Sequence, residues 1–573
     1  MSYRTSTAAW QWRYFYTPEL PDIMENIHGF IDEKLNLPDG TVLEGKEFKF
    51  SESGMIDLLD LLPEKPKALS RIILTADFYA ESAGSLVIGL AADWYWTIRI
   101  NGDMKQDARK SGNSEYPVSP TNHYQAVDYV AGRNQIVLDI VCGGGAKINV
   151  ACKIMDVPSQ LELRYKPFVS FPDSSSNAVS VIFSSNYPSV AAVDYREQGS
   201  AEWNRVYDNI GGQMRHDRAV HHIRLRKLKP DTVYEYRAVL VDKFRKLSDV
   251  LPDEICTFKT APSGGDFRFS VTADLQNPAT RNDYLEALLG KNNDFKPDFF
   301  AFCGDLLWTS DFNLSVMDEF VVPYRKITEN KLPLVMVRGN HEIYGVDSNR
   351  YFDYFTSPEP GREAYYMFRW GDVCFIVLDF CDDAGWVEPP STRQFHNFEP
   401  YIAEQAEWLK EAVKLPMCRD AKFRIVLAHG VPVGDSQDYM PGHVRQVIDP
   451  VFGGENPQVK VHLWLGGHIH RPFRSIPLQN ACYSMLPPSE FQGKNPHAKV
   501  GVNYNFPVVI TGGPIGKLGD NMQFTSIDVE VTSTMLTVHS RDRYQQEFDC
   551  ITIAEDGTVN EVKRSEEFKY YEY

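Results

Sequence analysis

The feature that most constrains this chain is an apolar segment at 461–465 that runs into Gly466-Gly467-His468-Ile469-His470. Its apolar residues are typical of a short buried strand. Two histidines one residue apart, directly after a strand, can hold a ligand from two directions, and glycines let the backbone approach it closely. The motif alone does not separate a ligand site from an ordinary surface loop, because short motifs are hypotheses until their context is known.

The same pattern recurs at four places upstream. Apolar runs at 267–273, 299–303, 334–337 and 425–428 each lead into polar residues. Those residues are Asp274-Leu275-Gln276, Gly304-Asp305, Gly339-Asn340-His341-Glu342 and His429. In open α/β sheets, ligands bind at the carboxyl ends of the strands. Five such strand ends predict one site built from carboxylate, amide and imidazole groups.

As a set, these motifs resemble the calcineurin-like metallophosphoesterase superfamily, over roughly the second half of the chain. The resemblance implies two divalent metal ions bridged by Asp305. It implies that the first ion is also held by Asp274, Gln276 and His470, and the second by Asn340, His429 and His468. Carboxylate, amide and imidazole ligands suit Zn, Mn or Fe.

The resemblance also implies a reaction. A metal-bridged hydroxide would attack the phosphorus of a phosphate mono- or diester. His341 would lie near the leaving oxygen, as a general acid or a stabiliser of the transition state. Arg338, Glu342 and Asp379 would support the ligands or contact the substrate. For Asp379, simple capping of a strand end explains the sequence equally well.

Two positions depart from the pattern of related proteins. Gln276 stands where many relatives have histidine, and a neutral amide is the weaker donor, so the identity of the metal stays open. Trp308 stands at the place of the tyrosine ligand of purple acid phosphatases. Without that phenolate, no iron–tyrosinate colour is expected.

Composition limits the other classes of function. The 573 residues suffice for three or four domains. A net charge of −18 disfavours nucleic-acid binding by a basic face, and no apolar run is long enough for a membrane span. The nine cysteines form no Cys-x-x-Cys pair, and we expect most of them to be buried thiols. The first residues lack the features of a signal peptide, so we expect a cytoplasmic protein. A secreted form whose leader has been removed remains an alternative.

The first third is rich in predicted strands. We expect residues 1–165 to hold an N-terminal segment, with a short helix at 22–33, and a jelly-roll sandwich similar to galactose-binding modules. Asn101-Gly102 predicts a hairpin turn. Trp94 and Trp96 share one strand face, which favours the sandwich core over a platform for sugar. Carbohydrate contact by this domain is kept as one expectation.

The middle of the chain restarts as a second β-rich domain at 166–262. Its segment 228–237 resembles the late strand of fibronectin type III-like domains, in which a tyrosine hydroxyl bonds to nearby backbone. A domain of this kind before a phosphoesterase domain is similar to plant purple acid phosphatases. The neighbouring His221 and His222 would face opposite ways and act as surface or packing residues.

We expect the phosphoesterase domain at 263–547, followed by a C-terminal strand and tail at 548–573 that is exposed from Arg564. Helices are predicted at 280–289, 316–329 and 400–413, and a hairpin at 526–540 that closes the sheet. Residues 442–445 are interpreted as a plain loop, with a place along the cleft as the alternative, and 512–517 as a tight loop near the site. Asp382 and Asp383 are interpreted as a solvated turn.

The sequence therefore predicts a multidomain chain with two N-terminal β-sandwiches, followed by an α/β/β/α metallophosphoesterase sandwich. Its predicted activity is that of a metal-dependent phosphoric ester hydrolase. The alternative is a glycan- or partner-binding protein with a catalytically inactive phosphoesterase scaffold, which the large non-catalytic first half favours. Seven competent ligand positions favour the enzyme.

Overall fold

A computed structural model describes residues 10–18, 29–93, 95–144, 147–155, 160–171, 176–245, 248–251, 254–276, 278–308, 312, 315–345, 347–355, 364–381, 397–432, 439–487, 500–513 and 524–572. The chain forms two compact units. The first comprises Met1–Glu162, Asn186–Val190 and Leu240–Val250, and the second Leu163–Ser185, Ala191–Val239 and Leu251–Tyr573. Within these described ranges, no helix combines the length and the apolar character that crossing a membrane requires.

The first unit is built on two sheets that share one core. Their orders are β4-β1-β6-β11-β8-β9 and β10-β7-β12-β5. The core contains Trp12, Ile88 and Trp96, so the core interpretation of Trp96 is confirmed, whereas Trp94 lies outside the described residues. The strands are β1 Gln11–Thr17, β2 Lys34–Asn36, β3 Val42–Glu44, β4 Lys46–Phe48, β5 Met55–Asp57, β6 Arg71–Ala80, β7 Gly84–Ala92, β8 Tyr95–Ile100, β9 Asp103–Asp107, β10 His123–Tyr129, β11 Gly132–Val141 and β12 Asn149–Met155.

Local predictions for this unit have mixed outcomes. The Asn101-Gly102 turn joins β8 to β9, and both of its residues have positive φ, as a tight hairpin requires. The helix predicted at 22–33 is absent from the described part, since 29–33 carry no helix, and 22–28 lie outside the described residues.

The N-terminal part of the second unit is also made of strands. Leu163–Ser170, Ala178–Ser185 and Val220–Arg226 form one sheet, and a second sheet has the order β16-β15-β20-β21, with β22 beside β20. The boundary between the units passes through β15 and β20, and β21 belongs to the first unit. The strands are β13 Leu163–Ser170, β14 Ala178–Ser185, β15 Val190–Glu197, β16 Asn204–Tyr207, β17 Asn209–Ile210, β18 Gln213–Met214, β19 Val220–Arg226, β20 Val233–Asp242, β21 Ser248–Val250 and β22 Cys256–Lys259.

Two side-chain predictions for this part are confirmed. The Tyr234 hydroxyl accepts a hydrogen bond from the Lys229 backbone N–H at 2.9 Å, which is the tyrosine–backbone contact expected from the sequence. His221 is buried against Asp208, with 3.0 Å between Nδ1 and Oδ2, and His222 is only half-buried. The two histidines therefore face opposite ways and serve packing.

The rest of the second unit contains two large sheets. Their orders are β25-β24-β23-β33-β34-β35-β36 and β26-β27-β28-β29-β32-β30-β31-β37. The strands are β23 Phe267–Thr272, β24 Phe299–Cys303, β25 Leu334–Val337, β26 Tyr366–Trp370, β27 Val373–Leu378, β28 Phe423–Ala428, β29 Leu463–Gly466, β30 Phe473–Ser475, β31 Ala481–Ser484, β32 Val508–Ile510, β33 Ser526–Val531, β34 Met535–Arg541, β35 Glu547–Ala554, β36 Val559–Arg564 and β37 Lys569–Glu572.

Aromatic side chains fill the space between these sheets. Phe269 of β23 stacks on Phe299 of β24 at 5.1 Å, and its ring meets Phe375 of β27 edge-on at 5.2 Å. Phe368 of β26 stacks on Phe375 at 4.7 Å. Large rings of this kind dominate core energetics, so this layer holds the two sheets face to face.

Helices cover the outer faces, which gives the four layers α/β/β/α. One core cluster joins Leu285 and Phe320 to strand residue Phe302, and another joins Ile402 and Val447 to strand residues of the second sheet. The helices are α1 Pro278–Leu289, α2 Val322–Ile327 after a π-helical turn at Met317–Val321, α3 Tyr351–Tyr354, α4 Phe398–Ala412, α5 Pro416–Arg419 and α6 Tyr439–Phe452. Single 3₁₀ turns occur at Leu58–Asp60, Asn340–Ile343 and Ser348–Arg350.

Two predictions fail at the C-terminal side, and a third is incomplete. The hairpin of β33 and β34 does not close its sheet, because β35 and β36 extend it further. The tail from Arg564 is largely exposed, as expected, but it ends in a strand, β37, that pairs with β31. Residues 442–445 lie in helix α6 and not in a loop.

Candidate metal and catalytic site

Five strands deliver the candidate ligands. Asp274 follows β23, Asp305 follows β24, Asn340 follows β25, His429 follows β28 and His468 follows β29. The first three strands are parallel to one another, as are β28 and β29, so their carboxyl ends lie on common edges. Backbone hydrogen bonds from Asp274 N–H to Gly304 C=O and from Leu275 N–H to Asp305 C=O bind two of these loops together.

The backbone is strained at four of the seven candidate ligands. Asp274, Asp305, His468 and His470 have φ values of 58°, 64°, 71° and 52°. A non-glycine residue in this region costs of order 1 to 3 kcal/mol, and such strain persists where the surrounding structure imposes it. Strain at several neighbouring loop residues is typical of functional sites.

Two glycines allow the loops to approach this closely. A Cβ on Gly339 would lie 2.4 Å from Asp305 Oδ1, and a Cβ on Gly467 would lie 2.6 Å from Asp274 Oδ2. Both distances are far below van der Waals contact. Glycine is therefore required for these carboxylates to face their partners.

Asn340 occupies the centre of one half of the site. Its Oδ1 lies 3.0 Å from His429 Nε2 and 3.1 Å from His468 Nδ1. His429 Nε2 also lies 3.3 Å from Asp305 Oδ2. His429 donates its other ring N–H, at Nδ1, to the Cys303 carbonyl at 2.8 Å, which fixes the ring and turns Nε2 toward the carboxylate.

Asp274, Gln276 and His470 form the other half. His470 Nε2 lies 3.2 Å from Asp274 Oδ1, and Gln276 Nε2 donates to Asp305 Oδ2 at 2.9 Å. Gln276 Oε1 is buried without a hydrogen-bond partner among the described residues. A rotation of the carboxamide by 180° exchanges its nitrogen and oxygen, so the same side chain can present an oxygen ligand.

The donor set fits divalent metal ions. Single ligand atoms of Asp274, Asp305 and His429 all lie within 4.8 Å of one another, and all three residues are buried. The unpartnered Gln276 oxygen and the amide oxygen of Asn340 add two neutral oxygen donors. This mixture of carboxylate, amide and imidazole groups suits Zn, Mn or Fe, and it contains no thiolate.

The electrostatics of the site agree with cation binding. Burial alone would raise the pKa of Asp305, but the nearby His429 and His341 outweigh it and lower that pKa. Burial alone would lower the pKa of His429, but the Asp305 carboxylate raises it to about 10. Burial and the charge of His429 lower the pKa of His468 to about 4. A proton on His429 therefore balances the carboxylates, and a metal ion at Nε2 would have to displace it.

Glu342 organises the backbone beneath Asp305. Its carboxylate accepts hydrogen bonds from the N–H groups of Asp305, Leu306 and Gly339 at 2.8, 2.9 and 2.7 Å. Burial and the charge of Asp305 raise the pKa of Glu342 to about 7, against the effect of these donors. Glu342 thus fixes the two loops that carry Asp305 and Asn340.

Arg338 and Asp379 form a buried ion pair next to the Asn340 loop. Arg338 Nη2 lies 2.5 Å from Asp379 Oδ2, and the Tyr401 hydroxyl donates to the same oxygen at 2.7 Å. The guanidinium also faces four aromatic rings at 5.1–5.9 Å, those of Tyr351, Phe352, Phe398 and Tyr401. Asp379 therefore does more than cap the end of β27.

His341 is held between two aromatic rings. Its backbone N–H donates to Asp305 Oδ1 at 2.9 Å, and its Nδ1 lies 2.7 Å from the Trp308 carbonyl oxygen. The rings of Trp308 and Tyr344 meet it edge-on at 5.4 and 4.8 Å. The remaining nitrogen, Nε2, lies 3.7 Å from Asp305 Oδ2 and points into the site.

Sequence reasoning missed two supporting residues. The Tyr344 hydroxyl accepts from Asn340 Nδ2 at 3.3 Å, and its position four residues after Asn340 was a usable signal. Arg281 is buried, and its Nη1 lies 3.5 and 3.3 Å from the carbonyl oxygens of Leu275 and Leu306. Nothing in the local sequence around Arg281 indicates that role.

The other residues singled out in the sequence have separate outcomes. His443 is buried in α6 with its Nε2 3.5 Å from Glu399 Oε1. Gly512 and Gly513 are described, and a Cβ on Gly513 would lie 2.3 Å from Asp274 Cβ, so this loop does border the site. Residues 514–517, Asp382 and Asp383 lie outside the described residues.

A second group of potential ligands occurs on β34 and β35. Ligand atoms of His539, Glu547 and Cys550 lie within 4.8 Å of one another. Glu547 is already paired with His539 and with Lys563, and burial raises the pKa of the Cys550 thiol to about 11. We therefore interpret this group as an ion pair beside a buried, protonated cysteine and not as a metal site.

Comparison with known proteins identifies the family of this domain. Residues 267–472 match the family described as calcineurin-like phosphoesterase. The chain is 24% identical over 190 residues to bovine (Bos taurus) serine/threonine-protein phosphatase CPPED1, and 25% identical over 221 residues to purple acid phosphatase 15 of Arabidopsis thaliana. These matches cover 31% and 34% of this chain, and 54% and 38% of the two relatives. The chain thus spans about half or less of the length of these curated relatives.

Among solved structures, the chain is similar to purple acid phosphatase PPD1 from yellow lupin (Lupinus luteus) seeds. The TM-score is 0.47 at 14% identity, over 85% of this chain and 92% of the other. From the family match, the chain carries a calcineurin-like phosphoesterase domain with phosphatase homologues.

Proposed function

We propose that the chain hydrolyses a phosphate mono- or diester at a dinuclear metal centre. The observation that carries this proposal is the convergence of buried donors from five strand ends, with Asn340 Oδ1 between His429 Nε2 and His468 Nδ1 and with Asp305 facing both halves of the site. The proposed metal ligands are Asp274, Gln276, Asp305, Asn340, His429, His468 and His470.

Two bound divalent ions would supply charge neutralisation at the phosphoryl oxygens and a nucleophilic water at neutral pH. The chain supplies the framework around them. Asp305 is anchored at Oδ1 by the His341 backbone N–H, which leaves Oδ2 toward Gln276 and His429. Asp305 is therefore the residue suited to bridge the two halves.

His341 is the residue suited to handle the proton of the leaving group. Because Nδ1 donates its proton to the Trp308 carbonyl, Nε2 is the nitrogen that can exchange a proton with substrate. The backbone bond to Asp305 and the two flanking rings fix the direction of Nε2. A protonated Nε2 would donate to the leaving oxygen and lower the barrier to P–O cleavage.

The net charge of the chain makes a local positive centre necessary for substrate binding. With a net charge of −18, the protein as a whole repels an anionic phosphate ester. Cations held by Asp274 and Asp305 would reverse the field locally. The relatives are named phosphatases, which makes phosphate monoesters the first substrates to test.

The rival proposal, a binding protein with an inactive scaffold, loses one of its supports. Trp96, one half of the pair that could have formed a sugar platform, is buried in the core of the first unit. Carbohydrate contact by that unit stays a separate proposal. No described position among the seven candidate ligands has lost its donor chemistry.

The test is hydrolysis of p-nitrophenyl phosphate and bis(p-nitrophenyl) phosphate by the full chain supplied with Zn or Mn. We expect turnover of one or both by the wild type. Asp305→Ala should abolish it, because the substitution removes the acceptor shared by both halves of the site. The matched control is Asp139→Ala, since Asp139 is a buried carboxylate of the first unit, 2.9 Å from Arg71 Nε. Activity of Asp305→Ala within about tenfold of wild type would overturn the bridging role.

A further inference from the structure

Trp308 has an unusual combination of position and exposure. It follows Asp305 by three residues, and 58% of its surface is exposed to solvent. Trp10, Trp12, Trp96, Trp370 and Trp464 are at most 6% exposed, and Trp203 and Trp408 are half-buried, so Trp308 is the exposed tryptophan of the described residues. Single exposed apolar residues are common on protein surfaces, so what distinguishes Trp308 is its position beside His341 and Asp305.

We propose that Trp308 is a specificity-determining residue whose indole stacks on the organic group of the ester, so that preferred substrates carry an aromatic ring next to the phosphate. The inference rests on the proposed function. It assigns to Trp308 the recognition of the leaving group, whereas the metal ligands recognise the phosphate.

The placement of the ring supports this role. The Trp308 carbonyl accepts from His341 Nδ1 at 2.7 Å, and the two rings meet edge-on at 5.4 Å. The imidazole that carries the nitrogen proposed to serve the leaving oxygen therefore lies next to the indole. An organic group attached to that oxygen would extend into the space that Trp308 borders.

The chemistry of the indole selects the kind of group. Its T-shaped contact with His341 leaves most of the ring surface uncovered, consistent with its 58% exposure. Aromatic rings prefer stacked or edge-on contacts with other rings at centroid distances of about 4.5–7 Å. An alkyl chain, such as the side chain that carries the phosphate of phosphoserine, offers less area and no ring quadrupole.

Selectivity is measured by the effect of Trp308→Ala on kcat/KM for 1-naphthyl phosphate, p-nitrophenyl phosphate and an alkyl phosphate such as β-glycerophosphate. Comparing variant with wild type on each substrate cancels the intrinsic reactivity of the esters. We expect losses of about tenfold for both aryl esters, which corresponds to about 1.4 kcal/mol, and less than about twofold for the alkyl ester. Trp308→Phe should recover most of the loss.

The control variant is Tyr544→Ala, because Tyr544 is equally exposed at 56% but lies on the turn between β34 and β35. It should leave all three substrates unchanged. Equal losses of Trp308→Ala on aryl and alkyl esters would overturn the proposal and show that the ring only supports His341. No loss on any ester would overturn it as well.

The two proposals fail in different ways. A wild-type chain with bound metal that hydrolyses none of the esters refutes the proposed function. Stacking on Trp308 is then tested by calorimetric titration of the metal-loaded chain with 1-naphthyl phosphate and with β-glycerophosphate. Tighter binding of the naphthyl ester that disappears in Trp308→Ala supports the stacking role of Trp308, and equal binding of both esters refutes it.

Discussion

Arg338→Met is the substitution with the most sharply defined consequence. Arg338 and Asp379 are 9% and 0% exposed in their side chains, and two guanidinium nitrogens lie 2.5 and 3.1 Å from Asp379 Oδ2. The substitution leaves a buried carboxylate without its counter-charge. It also removes the cation from the face of the four surrounding rings.

The expected loss of stability follows from burial. Removing one partner of a buried ion pair costs about 3–5 kcal/mol, because the other charge stays desolvated. Removing both charges, in Arg338→Met with Asp379→Asn, should restore part of this, since Asn keeps an acceptor for the Tyr401 hydroxyl. We expect the double variant to be at least about 1 kcal/mol more stable than the sum of the single effects predicts.

The assay is pulse proteolysis of the full chain in increasing urea, which follows the second unit separately from the first. Turnover of p-nitrophenyl phosphate is measured on the same samples. We expect Arg338→Met to lower kcat/KM by about tenfold or more, because Arg338 directly precedes the Gly339-Asn340-His341 loop. The matched control is Arg71→Met, whose guanidinium lies 2.9 Å from the buried Asp139 in the first unit. It should destabilise the first unit and leave turnover intact.

A destabilisation of the second unit below about 1 kcal/mol would refute the reasoning about the buried pair. Unchanged turnover of folded Arg338→Met, measured without urea, would refute the role of Arg338 in positioning the Asn340 loop. Additive effects of the two single substitutions would show that Arg338 and Asp379 act independently.

Two further predictions concern close packing and pH. Gly339→Ala should reduce turnover at least about 100-fold, because the added Cβ would lie 2.4 Å from Asp305 Oδ1. The control is Gly264→Ala, whose Cβ would meet nothing closer than 3.6 Å and which should leave turnover unchanged. Equal activities of the two variants would contradict the prediction. Burial lowers the pKa of His462 to about 4, so the unfolded chain binds the proton more tightly and stability should fall as pH drops from about 6.5 to 4. His462→Gln should flatten that dependence in urea unfolding at several pH values, and an unchanged slope would contradict the assignment.

Most of the candidate ligand set could be predicted from sequence because the ligands directly follow strands. An apolar run fixes where a strand ends, and the next polar residue is then placed at the edge of the sheet. Asp274, Asp305 and His429 follow this rule, whereas Asn340 lies two residues beyond the first polar residue, Arg338. The tyrosine–backbone contact of Tyr234 and the Asn101-Gly102 turn were also predictable, since both depend on neighbours within a few residues.

The parts that depend on distant contacts could not be predicted. The rings around Arg338 come from two separate segments, near 351 and near 400, and nothing in either segment shows that they meet. The pairing of β37 with β31 joins strands almost 90 residues apart, so the sequence of the exposed tail does not reveal it. Helix α6 was missed at 442–445 because Pro441 and Gly442 are poor helix formers, whereas packing of Val444 and Val447 against the second sheet stabilises it.

Metal content is the decisive measurement, because the proposed function requires the seven candidate ligands to hold two metal ions. The wild-type chain and Asp305→Ala are dialysed against Zn or Mn, and native mass spectrometry then counts the ions bound to each folded chain. We expect two ions per wild-type chain and the loss of at least one in Asp305→Ala. A folded wild-type chain that retains no ion, or a variant that retains both, would contradict it.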